Sequence, residues 1–221
     1  MSNIVDDDNN AVNDNLGATL ARMTDTDKPY HHGQLRRALL AAAEQTLRQR
    51  GVDELSLRDL ARQTGVSHGA PRRHFADRQA LLDALAEYGF ERLGDELRAA
   101  MEGTGDDFIA RLRAATAAYV HFAIDDSALL ELMFAGKHRN RAAGLEEAAE
   151  RGFAVMLQLI QQGQAEGWLQ GGDPERVGLV LFALVQGIAA LVGAGIVRPE
   201  QLDRLLADSI EHFLRGSRAP A

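Results

Sequence analysis

Residues 56–75 read Ser-Leu-Arg-Asp-Leu-Ala-Arg-Gln-Thr-Gly-Val-Ser-His-Gly-Ala-Pro-Arg-Arg-His-Phe, and they constrain the fold more tightly than any other stretch of this 221-residue chain. Ser56 places a hydroxyl where the first free N–H groups of a helix need an acceptor. Leu57, Leu60, Ala61 and Thr64 then fall at i, i+3, i+4 and i+7, one face of a helix. Gly65 stands where the chain must leave that helix, a position that favours a left-handed residue. Val66 is the apolar plug of the turn, and Ser67 is placed to cap a second helix. Pro71 falls in the first turn of that helix, where a missing N–H costs least. The second helix carries Arg72 and Arg73 on a surface of small and polar residues. Two short helices joined in this way form a helix-turn-helix, whose second helix enters the major groove of DNA.

The flanking sequence is helical throughout. A helix is expected from about residue 33 to 50, with Leu35, Leu39, Ala43 and Leu47 as its buried stripe and Gly51 as its stop. Asp77 caps a long helix marked by Leu81, Leu82, Leu85, Leu93, Leu97 and Met101, closed by Gly103-Thr104-Gly105. Further helices are expected over about 106–124, from 127 to 134, over 141–166 and from 202 to 214, with a polar loop at 136–140. Strand-type alternation is scarce, so the fold class is all-α. A three-helix DNA-binding domain is expected at 28–76 and a helical ligand-binding and dimerisation body at 77–216. Residues 1–27, with six aspartates and one arginine, are expected to be an acidic, disordered leader, and 217–221 a short tail. With no basic start and no apolar run in residues 1–27, no secretory signal is expected there. Met23 is a second candidate start. No cysteine is present, which removes disulfides, thiol nucleophiles and thiolate metal sites and suits a cytoplasmic location.

The net charge of −8 runs against a nucleic-acid partner until its distribution is considered. Residues 28–75 hold nine bases and four acids, whereas both the leader and the body are acidic. Salt screens charge beyond about 8 Å, so the local excess governs phosphate binding.

Residues 177–197 carry one polar side chain, Gln186, in 21 positions. That length suits a membrane span. Four glycines and four alanines weaken the apolar signal, and the rest of the chain has the composition of a soluble protein. The segment is therefore read as the centre of a core or interface. It is expected to pair, with the last helix, against the same two helices of a second copy.

Residues 56–82 resemble the TetR/AcrR family of bacterial regulators. The resemblance rests on Leu57-Arg58-Asp59-Leu60-Ala61, Gly65-Val66-Ser67, His74-Phe75, Arg78 and Leu81-Leu82, and it extends to Tyr30-His31-His32-Gly33-Gln34-Leu35-Arg36. The body is similar, more weakly, to a subgroup with a Trp-His-Gly-like C-terminal domain, through Tyr119-Val120-His121-Phe122-Ala123, Leu132-Met133-Phe134, Gly167-Trp168-Leu169 and Leu184-Val185-Gln186-Gly187. Arg72 stands where the family often has Tyr, and Phe182 and Gln186 where the subgroup has Trp and His. The resemblance implies a homodimeric transcriptional regulator, most often a repressor on a pseudo-palindromic operator, released by a small apolar effector.

Base reading is assigned to His68, Gly69, Ala70 and Arg72. Arg72 suits either a guanine edge or a phosphate, and the two small residues permit close approach to the groove. Phosphate contact is assigned to Ser56, Arg58, Ser67, Arg73, His74 and Arg78, with capping alone as the other reading of both serines. Tyr119, His121, Met133, Phe134, Trp168 and Gln186 are the candidates for an effector pocket of apolar walls and few polar groups. No zinc-protease pattern, Glu-x-x-His pair or phosphate-cradling glycine loop occurs. No catalytic residue, metal ligand or cofactor is therefore expected, and no membrane partner.

Overall fold

The computed structural model describes the backbone of residues 28–135 and 143–218, with side chains from 33 and 144 onward in the two stretches. The leader at 1–27 and the loop at 136–140 lie outside the described residues. Among the described residues there are eight α-helices and no strand.

Helix α1, Lys28–Arg50, begins earlier than its apolar stripe suggests. Leu39, Leu40, Ala43 and Leu47 are buried along it, and Gly51 ends it at φ 82°. The buried Thr46 hydroxyl donates to the Ala42 carbonyl (2.8 Å) and accepts from Gln63 Nε2 (3.1 Å), which ties α1 to α2, Leu57–Gln63. Ser56 does cap α2, its Oγ accepting from Asp59 N at 3.1 Å. Gly65 leaves α2 at φ 69°, and Val66 N closes on the Ala61 carbonyl at 3.0 Å. The expected second helix of the motif is different. Residues 68–70 form turns and only Pro71–Arg73 is helical, as one turn of 3-10 helix. Ala70, not Ser67, precedes that turn, and no side chain caps it. Gly69 disfavours a helix and Pro71 supplies no N–H, and the amides of Ala70, Arg73 and His74 bond three residues back, to Ser67, Ala70 and Pro71.

Helix α3, Arg78–Met101, is the central element and packs against α1, α4 (Phe108–Asp125), α5 (Ser127–Ala135) and α6 (Ala143–Ala165). Asp77 caps it, accepting from Ala80 N at 2.8 Å. Helix α4 is capped by Asp107 through Ile109 N (2.9 Å) and Ala110 N (3.3 Å). Helix α7, Pro174–Gly193, lies on α4 and α6, and α8, Leu202–Gly216, closes against α4 and α7. Ser217, expected in the tail, is instead buried beyond α8, and its carbonyl accepts from Gln170 N at 2.6 Å.

One hydrophobic core runs from Leu39, Leu60 and Phe75 at the N-terminal end, through Leu85 and Phe90, to Leu159 and Ile188 in the body. The three N-terminal elements are therefore not stabilised alone; α3 belongs to both ends. Helix α6 comes close enough to its neighbours to require glycine. A Cβ at Gly163 would collide with the ring of Phe108, itself buried. Gly163→Ala is accordingly expected to destabilise by about 1–3 kcal/mol, the usual cost of overpacking a filled core. A lower urea midpoint with an unchanged slope checks this.

Helix α7 is long and apolar enough to cross a membrane by length and composition. In the fold, Val177, Leu181, Val185, Ile188 and Ala189 are buried against the body. The opposite face leaves Leu179 65% and Val180 58% exposed.

Candidate functional site

Two regions hold the candidate residues. At the N-terminal end, Pro71 and Phe75 are buried and fix the 3-10 turn to the core. The Phe75 amide bonds to the Pro71 carbonyl at 2.9 Å, and the Arg36 guanidinium lies 5.7 Å from the Phe75 ring centroid. What this anchor leaves outward is Ser67, His68, Gly69, Arg72 and Arg73, all exposed, with Ala70 half-buried. Arg58 is exposed on α2 beside them. Arg58, Arg72 and Arg73 form no ion pair with any described residue, so three guanidinium groups face solvent uncompensated. His74 is half-buried and tilted against Phe75, with ring centroids 6.3 Å apart.

Two of the expected phosphate contacts already have structural work. Ser56 Oγ accepts from Asp59 N and donates to Asp59 Oδ2 at 2.8 Å. Arg78 donates through Nε to the Leu55 carbonyl (3.0 Å) and through NH2 to the Val52 carbonyl (2.5 Å). It satisfies carbonyls of the Val52–Glu54 3-10 turn and the residue that follows. Its guanidinium is a clamp between α3 and that turn.

The second region is a cavity of about 600 Å³ between α3, α4, α6 and α7. Leu93 and Leu97 of α3, Phe153 and Met156 of α6, and Leu181 and Phe182 of α7 form apolar walls. Tyr119 of α4 completes them. Its ring meets that of Phe182 edge-on at 5.7 Å, and Phe182 meets Phe153 the same way at 5.6 Å. The Tyr119 hydroxyl is buried and has no hydrogen-bond partner. Burial pushes its pKa well above that of an ordinary tyrosine, so it remains a neutral donor.

Of the six residues expected in a pocket, Tyr119 alone lines this cavity. His121 lies on the solvent side of α4, because two residues along a helix turn a side chain through about 200°. Met133 is fully buried against Gly89, where a Cβ would stand 2.7 Å from its sulfur. Phe134 sits behind the wall, 5.9 Å from the Phe182 ring. Trp168 is 42% exposed and stacks on Phe108 at 6.3 Å. Gln186 is half-buried beyond the cavity end of α7. Leu93, Leu97, Phe153, Met156, Leu181 and Phe182 are wall residues that sequence reasoning did not assign to the pocket.

A cluster between the two regions was also missed. Arg92, in the middle of α3, pairs with Glu44 of α1 and with Asp126 at the α4–α5 junction. It also reaches Glu96 at 3.1 Å and lies 4.7 Å over the Phe122 ring. Arg48 of α1 bonds Asp126 Oδ1 through Nε at 3.0 Å and pairs with Glu44 at 3.1 Å. Asp126 is 9% and Arg92 19% exposed, so water weakens their pair little, whereas Arg48, 54% exposed, contributes less. Tyr119, Phe122 and Asp126 follow one another on α4 and its cap. The helix that walls the cavity thus ends in the carboxylate that grips α1.

Comparison with known proteins decides what kind of molecule this is. The model of the bacterial regulatory proteins of the tetR family matches residues 39–85, and the model of a tetracyclin repressor-like C-terminal domain matches 112–214. The chain belongs to the TetR family. It is 28% identical to a helix-turn-helix transcriptional repressor of Mycobacterium tuberculosis, over 85% of this chain and 96% of the relative. It is 26% identical to the transcriptional regulator BetI of Serratia proteamaculans, over 87% and 97%. A solved Rhodococcus sp. RHA1 protein of unknown function is 45% identical, with a TM-score of 0.78 over 87% of this chain and 100% of the other. A Rhodococcus structure assigned to the TetR family matches at 25% identity and TM-score 0.65, over 82% and 99%.

This TetR-family chain is a DNA-binding transcriptional regulator, and its relatives are regulators rather than enzymes. The first matched stretch contains the whole exposed basic turn, and the second contains the cavity walls from α4, α6 and α7. Arg92 falls between the two.

Proposed function

We propose that this regulator is a cytoplasmic homodimeric repressor whose two basic turns read a pseudo-palindromic operator, and that a small, largely apolar effector in the cavity releases it. The observation that carries this reading is the shared helix α4. It walls a ligand-sized cavity at Tyr119 and holds the DNA-reading end through Asp126. An effector that prefers one setting of α4 shifts the setting of the head, because binding moves an equilibrium only by differential affinity. The repressor named in Mycobacterium tuberculosis supports the direction of control. In this reading His68, Gly69, Ala70 and Arg72 meet bases, and Arg58, Ser67, Arg73 and His74 meet phosphates; the exposure of Arg58, Ser67, His68, Gly69, Arg72 and Arg73 supports it.

The dimer rests on α7. An apolar face with Val180 and Leu191 uncovered suits a second protein surface, and Ala183 and Gly187 let another helix approach closely. Pairing α7 and α8 with their copies makes a four-helix interface. Val180→Arg is expected to shift the protein to monomer at micromolar concentration, measured by light scattering. A wild-type chain that is monomeric under the same conditions excludes this interface.

Selection of bound molecules from a random duplex library tests the reading as a whole. The expected product is an inverted repeat whose half-sites lie about 34–36 Å apart, one turn of DNA. Recovery of single half-sites, or of no sequence, overturns the dimeric operator.

A further inference from the structure

The cavity carries a charge signature that an apolar effector leaves unused. Glu146 and Glu150 of α6 and Glu175 of α7 are exposed and line its open side. No Lys, Arg or His is among the lining residues, and none of the three carboxylates pairs with a cation among the described residues. Inside that rim stand the faces and edges of Tyr119, Phe153 and Phe182. The Tyr119 hydroxyl, on a side chain 3% exposed, is unpartnered at the same wall.

We infer that the cavity binds a hydrophobic organic cation, an apolar or aromatic body bearing a protonated amine or quaternary centre. This deepens the effector reading above and rests on it. The physical grounds are separate contributions of the same sign. Aromatic faces attract a cation that approaches within about 6 Å of a ring centroid, more strongly where water is excluded. Three like-charged carboxylates around an apolar opening give it a negative potential and raise the local concentration of cations, most strongly at low salt. The same field repels an anion of equal size. A volume of about 600 Å³ accommodates a molecule of several rings. A neutral apolar ligand would use the walls and gain nothing from the rim.

Tetraphenylphosphonium and tetraphenylborate test this, because they match in shape and differ in the sign of their charge. Each is titrated calorimetrically into the full-length protein, with the neutral dye Nile red as a third probe. The phosphonium is expected to bind at least about tenfold more tightly than the borate. Combined replacement of Glu146, Glu150 and Glu175 by Gln, all at exposed positions, is expected to remove most of that preference while Nile red binding persists. Gly178→Leu is expected to displace all three probes. Gly178 lines the cavity, and a Cβ there meets only Ile160 Cγ1, at 3.9 Å, so a side chain is admitted at the ligand's expense. Equal binding of phosphonium and borate, with Nile red still blocked by Gly178→Leu, overturns the cation while the cavity reading stands. Failure of all three probes to bind the native protein overturns both. A phosphonium preference that survives the triple replacement also overturns the assignment to this rim.

Discussion

Replacing Arg92 by Ala is expected to lower the stability of the protein by about 3 kcal/mol, the scale seen when one partner of a buried ion pair is removed. The loss does not come chiefly from the contacts deleted. Glu44 is 13% and Asp126 9% exposed, and Arg92 is the group that compensates both. Its removal leaves two carboxylates with little water and only Arg48, itself 54% exposed, to answer them. The Phe122 ring also loses the cation above it. Urea unfolding reads the effect as a lower midpoint. Adding Glu44→Gln and Asp126→Asn to Arg92→Ala should return part of the lost stability, because the stranded charges are then gone. A single-variant loss below about 1 kcal/mol would show that the cluster behaves like a surface pair. The operator response provides a second readout. If α4 steers the head through Asp126, the Arg92 variant should still bind operator DNA yet show a weaker release by effector.

The double variant Arg72→Ala, Arg73→Ala is expected to weaken operator binding by roughly 100-fold or more at moderate salt. A guanine-reading arginine contributes about 1–3 kcal/mol of discrimination, and a phosphate contact adds a salt-dependent increment. The two singles separate these roles. If Arg72 reads a base, Arg72→Ala relaxes sequence preference at one position of each half-site. If Arg73 meets a phosphate, Arg73→Ala weakens binding to all sequences and lowers the salt slope by about one. Both side chains are exposed and unpaired, so the fold should be untouched. Normal operator binding by the double variant would move the reading surface elsewhere.

The sequence made the helices legible and the contacts between them much less so. Apolar spacing placed α3, α4 and α8 to within a few residues, and Ser56 and Asp77 were readable caps because each precedes an apolar repeat. The start of α4 was less definite, since Asp106 and Asp107 are both able to cap and only the geometry selects Asp107. The second helix of the motif was over-read. Its residues match a helical pattern, but Gly69 and Pro71 weaken backbone bonding enough that a single 3-10 turn forms. The pocket was legible in part. Tyr119 continues the helical spacing of Phe108, Leu112 and Ala115 and faces inward, whereas His121, two residues on, falls off that stripe and is exposed. Phe153 and Phe182 lie 29 positions apart and become cavity walls only when α6 and α7 are brought together. Arg92 and Glu96 form an i, i+4 pair, but Glu44 lies 48 positions from Arg92 and Asp126 34, separations that no local pattern reports.

The spacing between Tyr119 and Asp126 sets a rule for how this chain can change over time. The two residues are seven apart, about 10 Å along one helix, and one residue inserted between them would rotate Asp126 by about 100° around the axis. The carboxylate would leave Arg92 while Tyr119 stayed at the cavity, and the two ends of the protein would lose their common part. Substitutions along this stretch are tolerable wherever they preserve packing, but additions and deletions are not. Length variation among descendants should therefore collect in the connections between helices and avoid residues 119–126, making the register of α4 a more durable heritable trait than the identity of most side chains on it.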